Sequence, residues 1–230
     1  MAKRLFTDFD GPILDVSERY YQVYQVCVQQ VRLPQQPVDM LSKAMFWELK
    51  RSQVSEYDIA QKSGLIQPGQ ATEFSQLRRE IVHSRPYFQY DRIHPWTIAA
   101  LEQIQGAGID LAVMTMRRIS ELEPVLDHYD LWRFFPDGRR FCLRDDYQKN
   151  GDTLDKPMLM RWAIASLPPV SHQWIVGDTE ADIIAGKRYC VQTIGILSGI
   201  RNRQQLSLHQ PEYILADLRE AVDLVLRSPE

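Results

Sequence analysis

Apolar positions along this chain of 230 residues change period repeatedly, and each change marks a different kind of element. Near the start, Arg4-Leu5-Phe6-Thr7 is a short apolar run that predicts a buried strand, closed by the turn Asp8-Phe9-Asp10-Gly11-Pro12. Val16, Tyr20, Val23, Cys27 and Val31 then recur three and four apart, which predicts an amphipathic helix with Ser17 as its N-cap, ending before Pro34. Helical patterns follow over 39–52, over 55–63 (Ser55 capping, Gly64 terminating) and from Pro68-Gly69 to Ser84. Arg85-Pro86-Tyr87 reads as a hinge.

Beyond Ile93 the pattern alternates. A helix over 94–106 leads through Gly106-Ala107-Gly108 into a buried strand, Ile109 to Met114, that ends at Thr115. A helix from Ser120, a short strand at Phe141-Cys142-Leu143 and a helix over 156–167 come next, the last opening at Lys156-Pro157, where proline costs little. Strands over 173–177, 192–197 and 212–215 alternate with helices over 180–189, 202–208 and 217–227. Strands alternating with helices imply an α/β fold with a parallel, doubly wound sheet. The expected division is therefore a Rossmann-like core of residues 1–15 and 86–230, with residues 16–85 inserted as an all-helical unit after the first strand.

Composition adds limits rather than detail. A net charge of −3 gives no electrostatic reason to expect nucleic acid or an anionic membrane as partner. No 18-residue apolar span and no N-terminal targeting segment is evident, so the expected location is the cytoplasm. Cys27, Cys142 and Cys190 are widely spaced and unpaired in pattern, as expected of reduced packing thiols.

The candidate chemistry lies at strand ends and helix starts: Asp8 and Asp10, then Thr115, then Lys156, then Gly177-Asp178-Thr179-Glu180-Ala181-Asp182. In an open parallel sheet the crevice beyond the carboxyl ends of the strands is where ligands bind. Carboxylates crowded there resist joint ionisation unless a cation neutralises them. Carboxylates, one hydroxyl and one ammonium suit phosphoryl transfer, because a carboxylate approaches a charged phosphoryl group only when that charge is screened. Mg²⁺, which takes oxygen ligands and keeps several waters, is the cation such a set would hold.

Asp-x-Asp-Gly, a strand-end Thr, Lys-Pro and Gly-Asp-x-x-x-Asp, in this order along nearly the whole chain, resemble the haloacid dehalogenase superfamily. The insertion after the first motif resembles its helical-cap subfamily, which holds phosphoglycolate phosphatase and β-phosphoglucomutase. The resemblance extends to Ile93-His94-Pro95 and to Thr193-Ile194-Gly195-Ile196. It implies Asp8 as nucleophile and Asp10 as general acid, then base. It implies Mg²⁺ held by Asp8, the Asp10 carbonyl and Asp178 with Asp182 in support, and phosphoryl oxygens bound by Thr115 and Lys156. The expected function is a phosphatase of a small phosphomonoester, phosphoglycolate-like; a phosphomutase or a non-catalytic binding relative are the alternatives. A dehalogenase would lack the acid at Asp10.

Two positions depart from the common pattern: Met116 stands where asparagine is frequent, and Cys190 where glycine often precedes the strand. Taken singly, other residues have plainer readings. Asp15 is a turn or cap residue, Asp178 a helix N-cap, and Tyr20, Tyr21 and Trp47 packing residues. Arg51 and the pairs Arg78-Arg79, Arg117-Arg118 and Arg139-Arg140 are solvated charges, with Arg117 placed to meet an anion because it follows Thr115 so closely. The five histidines show no ligand spacing.

Overall fold

The structure, a computed structural model, describes residues 2–228; Met1, Pro229 and Glu230, at the outer ends of the expected core, lie outside the described residues. Strand β1 (Lys3–Thr7) is followed by the short β2 (Leu14–Asp15) and then by five helices, α1 (Ser17–Val31), α2 (Lys43–Arg51), α3 (Glu56–Lys62), α4 (Gln70–Ile81) and α5 (Arg85–Phe88). A return strand, β3 (Arg92–Ile93), pairs antiparallel with β2. Next come α6 (Thr97–Gly106), β4 (Asp110–Arg118), α7 (Ile119–His128), β5 (Arg140–Leu143) and α8 (Asp152–Ser166). The chain continues with β6 (His172–Gly177), α9 (Glu180–Arg188), β7 (Gln192–Ile196), α10 (Arg203–Ser207), β8 (Tyr213–Leu215) and α11 (Leu218–Arg227).

Six strands form one parallel sheet in the order β5-β4-β1-β6-β7-β8. Strand β1 lies in the middle, where the winding reverses, so its carboxyl end opens onto the switch-point crevice. Strand alternation divides the core. Leu5, Val113, Trp174 and Val176 face one layer with α6, α7 and α11, while Phe6, Ala112, Met114 and Ile175 face another with α8 and α9. Both faces of the sheet are covered by helices, as a parallel sheet requires.

The inserted helices hold their own apolar cluster around Tyr24, Phe46 and Phe74, with the Tyr24 and Phe46 rings stacked at 4.6 Å. Ser42 and Ser55 cap α2 and α3 by accepting from the amides of Met45 and Asp58. Gly64 ends α3 at φ +85°, the left-handed geometry that glycine adopts freely.

Several boundaries differ from expectation for identifiable reasons. Ser17 is the first residue of α1 and Val16 its N-cap, while Asp15, one residue earlier, accepts from the Ser17 amide through Oδ1 at 2.8 Å. Residues 85–88 form a helical turn rather than a bare hinge. Ile93 is in a strand, so the following helix opens at Thr97 rather than 94. Strand β4 runs on past Thr115 to Arg118. Helix α8 starts at Asp152, so Lys156 and Pro157 sit inside it, not at its first residue. Asp155 brings the start forward by accepting from the amides of Asn150 (2.8 Å) and Gly151 (3.2 Å). Cys190 has φ +56°, so the position where glycine is frequent keeps a glycine-like backbone.

Candidate active site

Register sets the geometry. Thr7 is level with Val113 on one side and Val176 on the other, so Asp8 and Asp178 follow the ends of β1 and β6 while Thr115 sits on the stretch of β4 that runs on beyond them. The Asp8 amide continues the ladder by donating to the Val176 carbonyl at 2.8 Å. All three side chains are buried, and together with Asp10 and Lys156 they line one cavity of 310 Å³.

Lys156 reaches this point from the second turn of α8. Its Nζ lies 2.5 Å from Asp8 Oδ2 and 2.5 Å from Asp182 Oδ1. Burial disfavours its charge, but Asp182 and Asp8 outweigh this and hold the ammonium above its ordinary value. Asp182 is positioned by a capping box: its Oδ2 accepts from the Thr179 hydroxyl (2.7 Å) and amide (3.2 Å). The N-cap of α9 is thus Thr179, and Asp178 is left free of that duty. Asp178 instead accepts from the Ile200 amide at 2.6 Å. Its carboxylate is walled closely, since a Cβ at Gly11 or at Gly199 would overlap it. Gly11 also has φ +94° and its carbonyl accepts from the Ser198 hydroxyl at 2.9 Å, which fixes the turn after β1.

One oxygen from each of Asp8, Asp178 and Asp182 lies within 4.8 Å of the others. These three carboxylates share one ammonium. Burial, then repulsion from Asp182, pushes the Asp178 carboxyl up to about 7. Burial also lifts the Asp8 carboxyl, which Lys156 lowers only in part. A buried, oxygen-only donor set short of positive charge fits a hard dication such as Mg²⁺.

Asp10 is held quite differently. Its Oδ2 accepts from Arg19 Nη2 at 2.8 Å and its Oδ1 from Arg117 Nε at 2.8 Å. Both guanidiniums also reach Asp91, Arg19 at 3.1 Å and Arg117 at 2.5 Å. Burial would raise the Asp10 carboxyl; Arg117 and Arg19 outweigh it and hold the group well below the usual carboxylate range. Arg19 comes from α1, Asp91 from the segment before β3, and Arg117 from β4, so the cluster ties the inserted helices to the sheet.

Other residues also differ from their sequence reading. Arg117 is 3% exposed and fully engaged by carboxylates rather than free to meet an anion. Arg51 is no solvated charge: it donates to the Leu197 carbonyl at 3.0 Å, and its own carbonyl accepts from the Asn202 amide at 3.0 Å. Arg78 is buried and lines the cavity. Tyr20, Tyr21 and Trp47 do pack against the apolar clusters. Thr115 Oγ1 accepts from the Arg117 amide at 3.2 Å and faces the cavity.

Residues 155–221 match the HAD-hydrolase-like family. Among curated proteins, the phosphoglycolate phosphatase of Pseudomonas syringae pv. syringae is 26% identical over 136 residues, 58% of this chain and 47% of that protein. Pyrophosphatase PpaX of Oceanobacillus iheyensis is 23% identical over 131 residues, 57% of this chain and 59% of its own length. The matched region thus spans about half of each curated relative. Among solved structures, a haloacid dehalogenase-like family hydrolase from Streptococcus pneumoniae superposes with a TM-score of 0.68 at 17% identity, covering 97% of this chain and 98% of that one. Residues 155–221 are thus similar to the HAD-hydrolase-like family, and the whole chain shares the fold of that solved structure.

Proposed function

We propose that the protein is a phosphatase of small phosphomonoesters, with Asp8 as nucleophile. The carrying observation is the buried meeting of Asp8, Lys156, Asp178 and Asp182 at the switch point of the sheet, beneath a cavity walled on one side by the inserted helices. The curated relatives' names, phosphoglycolate phosphatase and pyrophosphatase, point to the same class of chemistry.

Asp8 Oδ would attack phosphorus, the ester oxygen would leave, and water would then split the aspartyl-phosphate and regenerate the carboxylate. Asp8 and Asp178, with the Asp10 carbonyl, would hold Mg²⁺, and Asp182 would support them. When bound, the ion offsets phosphoryl and carboxylate charge. The Lys156 ammonium and Thr115 hydroxyl would bind the phosphoryl oxygens, Lys156 being pinned by Asp182 so that it stays charged. Asp10, ionised in the arrangement described, is ready to accept a proton from attacking water. To donate one to a leaving oxygen it must first take up a proton and loosen its pairing with Arg117 and Arg19. Residues 16–85 would act as a cap over the core of 1–15 and 86–230, closing the site to bulk water.

The test is phosphate release from a panel of small phosphomonoesters, with and without Mg²⁺, for wild type and Asp8→Asn. Mg²⁺-dependent turnover lost in Asp8→Asn is the expected result. A folded wild-type protein that releases phosphate from none of them refutes the proposal.

A further inference from the structure

The cations around the cavity are unequally matched. Lys156 is taken by Asp8 and Asp182, Arg117 by Asp10 and Asp91, and Arg201 by Glu180. Arg79 and Lys149 also line it but are exposed, whereas the less exposed Arg78 and Lys50 share one acid. Arg78, on α4, is 4% exposed and lines the cavity. Its Nη1 meets Glu56 Oε1 at 2.7 Å, and Lys50 Nζ meets that same oxygen. The Nε and Nη2 of Arg78 are buried without a hydrogen-bond partner among the described residues. Buried N–H donors of a charged group left without acceptors are costly, and the side chain that carries them lines the cavity. The surroundings show the same excess of positive charge: burial, then Arg78, pushes the Lys50 ammonium down to about 8. The guanidinium is also fixed in place, lying 4.9 Å from the centre of the Tyr20 ring.

We infer that Arg78 and Lys50 form an anion subsite for a second negatively charged group, a carboxylate or a phosphate, on the molecule whose phosphoryl group meets Asp8. This rests on the phosphatase reading for its orientation, with the phosphoryl end at the sheet and the second anion at the inserted helices. A planar guanidinium with two free N–H groups suits an anion with two oxygens in one plane.

Binding of stable phosphonates, measured by calorimetry in Mg²⁺ buffer, tests it without turnover. The probes are methylphosphonate, phosphonoacetate and methylenebisphosphonate, which differ in whether and how they carry a second anion. Wild type is expected to bind at least one of the latter two about tenfold to a hundredfold more tightly than methylphosphonate. Whichever is favoured identifies the second group as carboxylate or phosphate. Arg78→Gln is expected to erase the preference while leaving methylphosphonate affinity within about threefold, and Arg78→Lys, which keeps the charge but not the planar fork, to keep only part of it. Equal binding of all three probes by wild type overturns the subsite with no variant needed. So does a preference that survives in a folded Arg78→Gln protein. An Arg78-dependent preference in a protein that hydrolyses no phosphomonoester keeps the subsite and removes the phosphatase reading. Hydrolysis without any preference does the reverse.

Discussion

Replacing Arg117 with glutamine probes the arrangement most severely. Its guanidinium is 3% exposed and bonds both Asp10 and Asp91, whose side chains are 24% and 2% exposed. In wild type two guanidiniums face two carboxylates and the cluster is neutral. Without Arg117, Arg19 alone must serve both acids, and a net negative charge stays buried at the junction of sheet and inserted helices. Removing one member of a buried pair costs about 3–5 kcal/mol, and most of it here falls on Asp91, which water does not reach. For a chain of this size that lowers Tm by about 6–20 °C, at 2–4 °C per kcal/mol. Arg144→Gln is the control, because its pair with Asp146 is exposed on both sides (78% and 71%) and is worth at most about 1 kcal/mol.

The effect should also depend on pH in a definite direction. The folded-state carboxyl of Asp10 lies well below its unfolded value, because Arg117 and Arg19 outweigh its burial. Its contribution is therefore fully present above the unfolded pKa of about 4 and is lost as the pH falls from there toward the depressed folded value. Tm measured by calorimetry or circular dichroism should differ most between wild type and Arg117→Gln at neutral pH, and the gap should narrow in acid. A drop no larger than that of Arg144→Gln, or a gap that does not change with pH, refutes the reasoning.

Without metal, Asp178 titrates near 7, above its unfolded value; its protonated form stabilises the fold, so Tm should fall as the pH rises from about 4 to 7. Mg²⁺ at a hundred times its Kd should restore about 2.7 kcal/mol, and Asp178→Asn should reduce the pH slope, leaving the part due to Asp8, and abolish the Mg²⁺ response in the same melts. Gly199→Ala should weaken Mg²⁺ binding about tenfold to a hundredfold in titration calorimetry, since the new Cβ displaces the Asp178 carboxylate; unchanged affinity would show that Asp178 is no ligand. Phe46→Ala removes a fully buried ring at the centre of the inserted helices and should cost about 3–5 kcal/mol. Hydrogen exchange should show that loss first in residues 17–88, and faster exchange beginning in β1 and β6 instead would contradict a separate cluster there.

The sheet was readable because its central strands are continuous apolar runs, and strand ends in a parallel sheet converge on one crevice. Asp8, Thr115, Lys156, Asp178 and Asp182 could therefore be grouped from their places in the chain. Helix starts were less readable. Asp155 and Thr179 cap by local side-chain bonds that compete with plausible neighbours, which is why α8 opens early and why Asp178 is no N-cap. Arg19 and Asp91 are harder to place, because the pairs Arg19–Asp91 and Asp91–Arg117 join segments far apart along the chain. A signal did exist. Arg19, Val23 and Cys27 share one buried stripe of α1, and Ala71, Phe74 and Arg78 share one on α4. An arginine in register with an apolar stripe is buried, and a buried arginine needs an anion. As a doublet Arg78-Arg79 reads as surface; by helical period Arg78 falls on the buried stripe and Arg79, which is exposed, does not.

That stripe rule leads to how closure and substrate are linked. Arg19 answers its need with Asp10 and Asp91, and so ties the inserted helices to the sheet. Arg78 and Lys50 share a single oxygen of Glu56 and keep cationic capacity in reserve. A ligand shifts a conformational balance only by binding one arrangement better than another. A molecule with one phosphoryl group would touch the sheet side alone, at Thr115 and Lys156, and would leave that balance where it stands. A molecule with a second anion would engage both sides at once and add its own attraction to the closed arrangement. Selectivity and closure would then come from the same contact, so Arg78→Gln should lower kcat together with raising KM for doubly anionic substrates, while a singly charged phosphomonoester should show neither change.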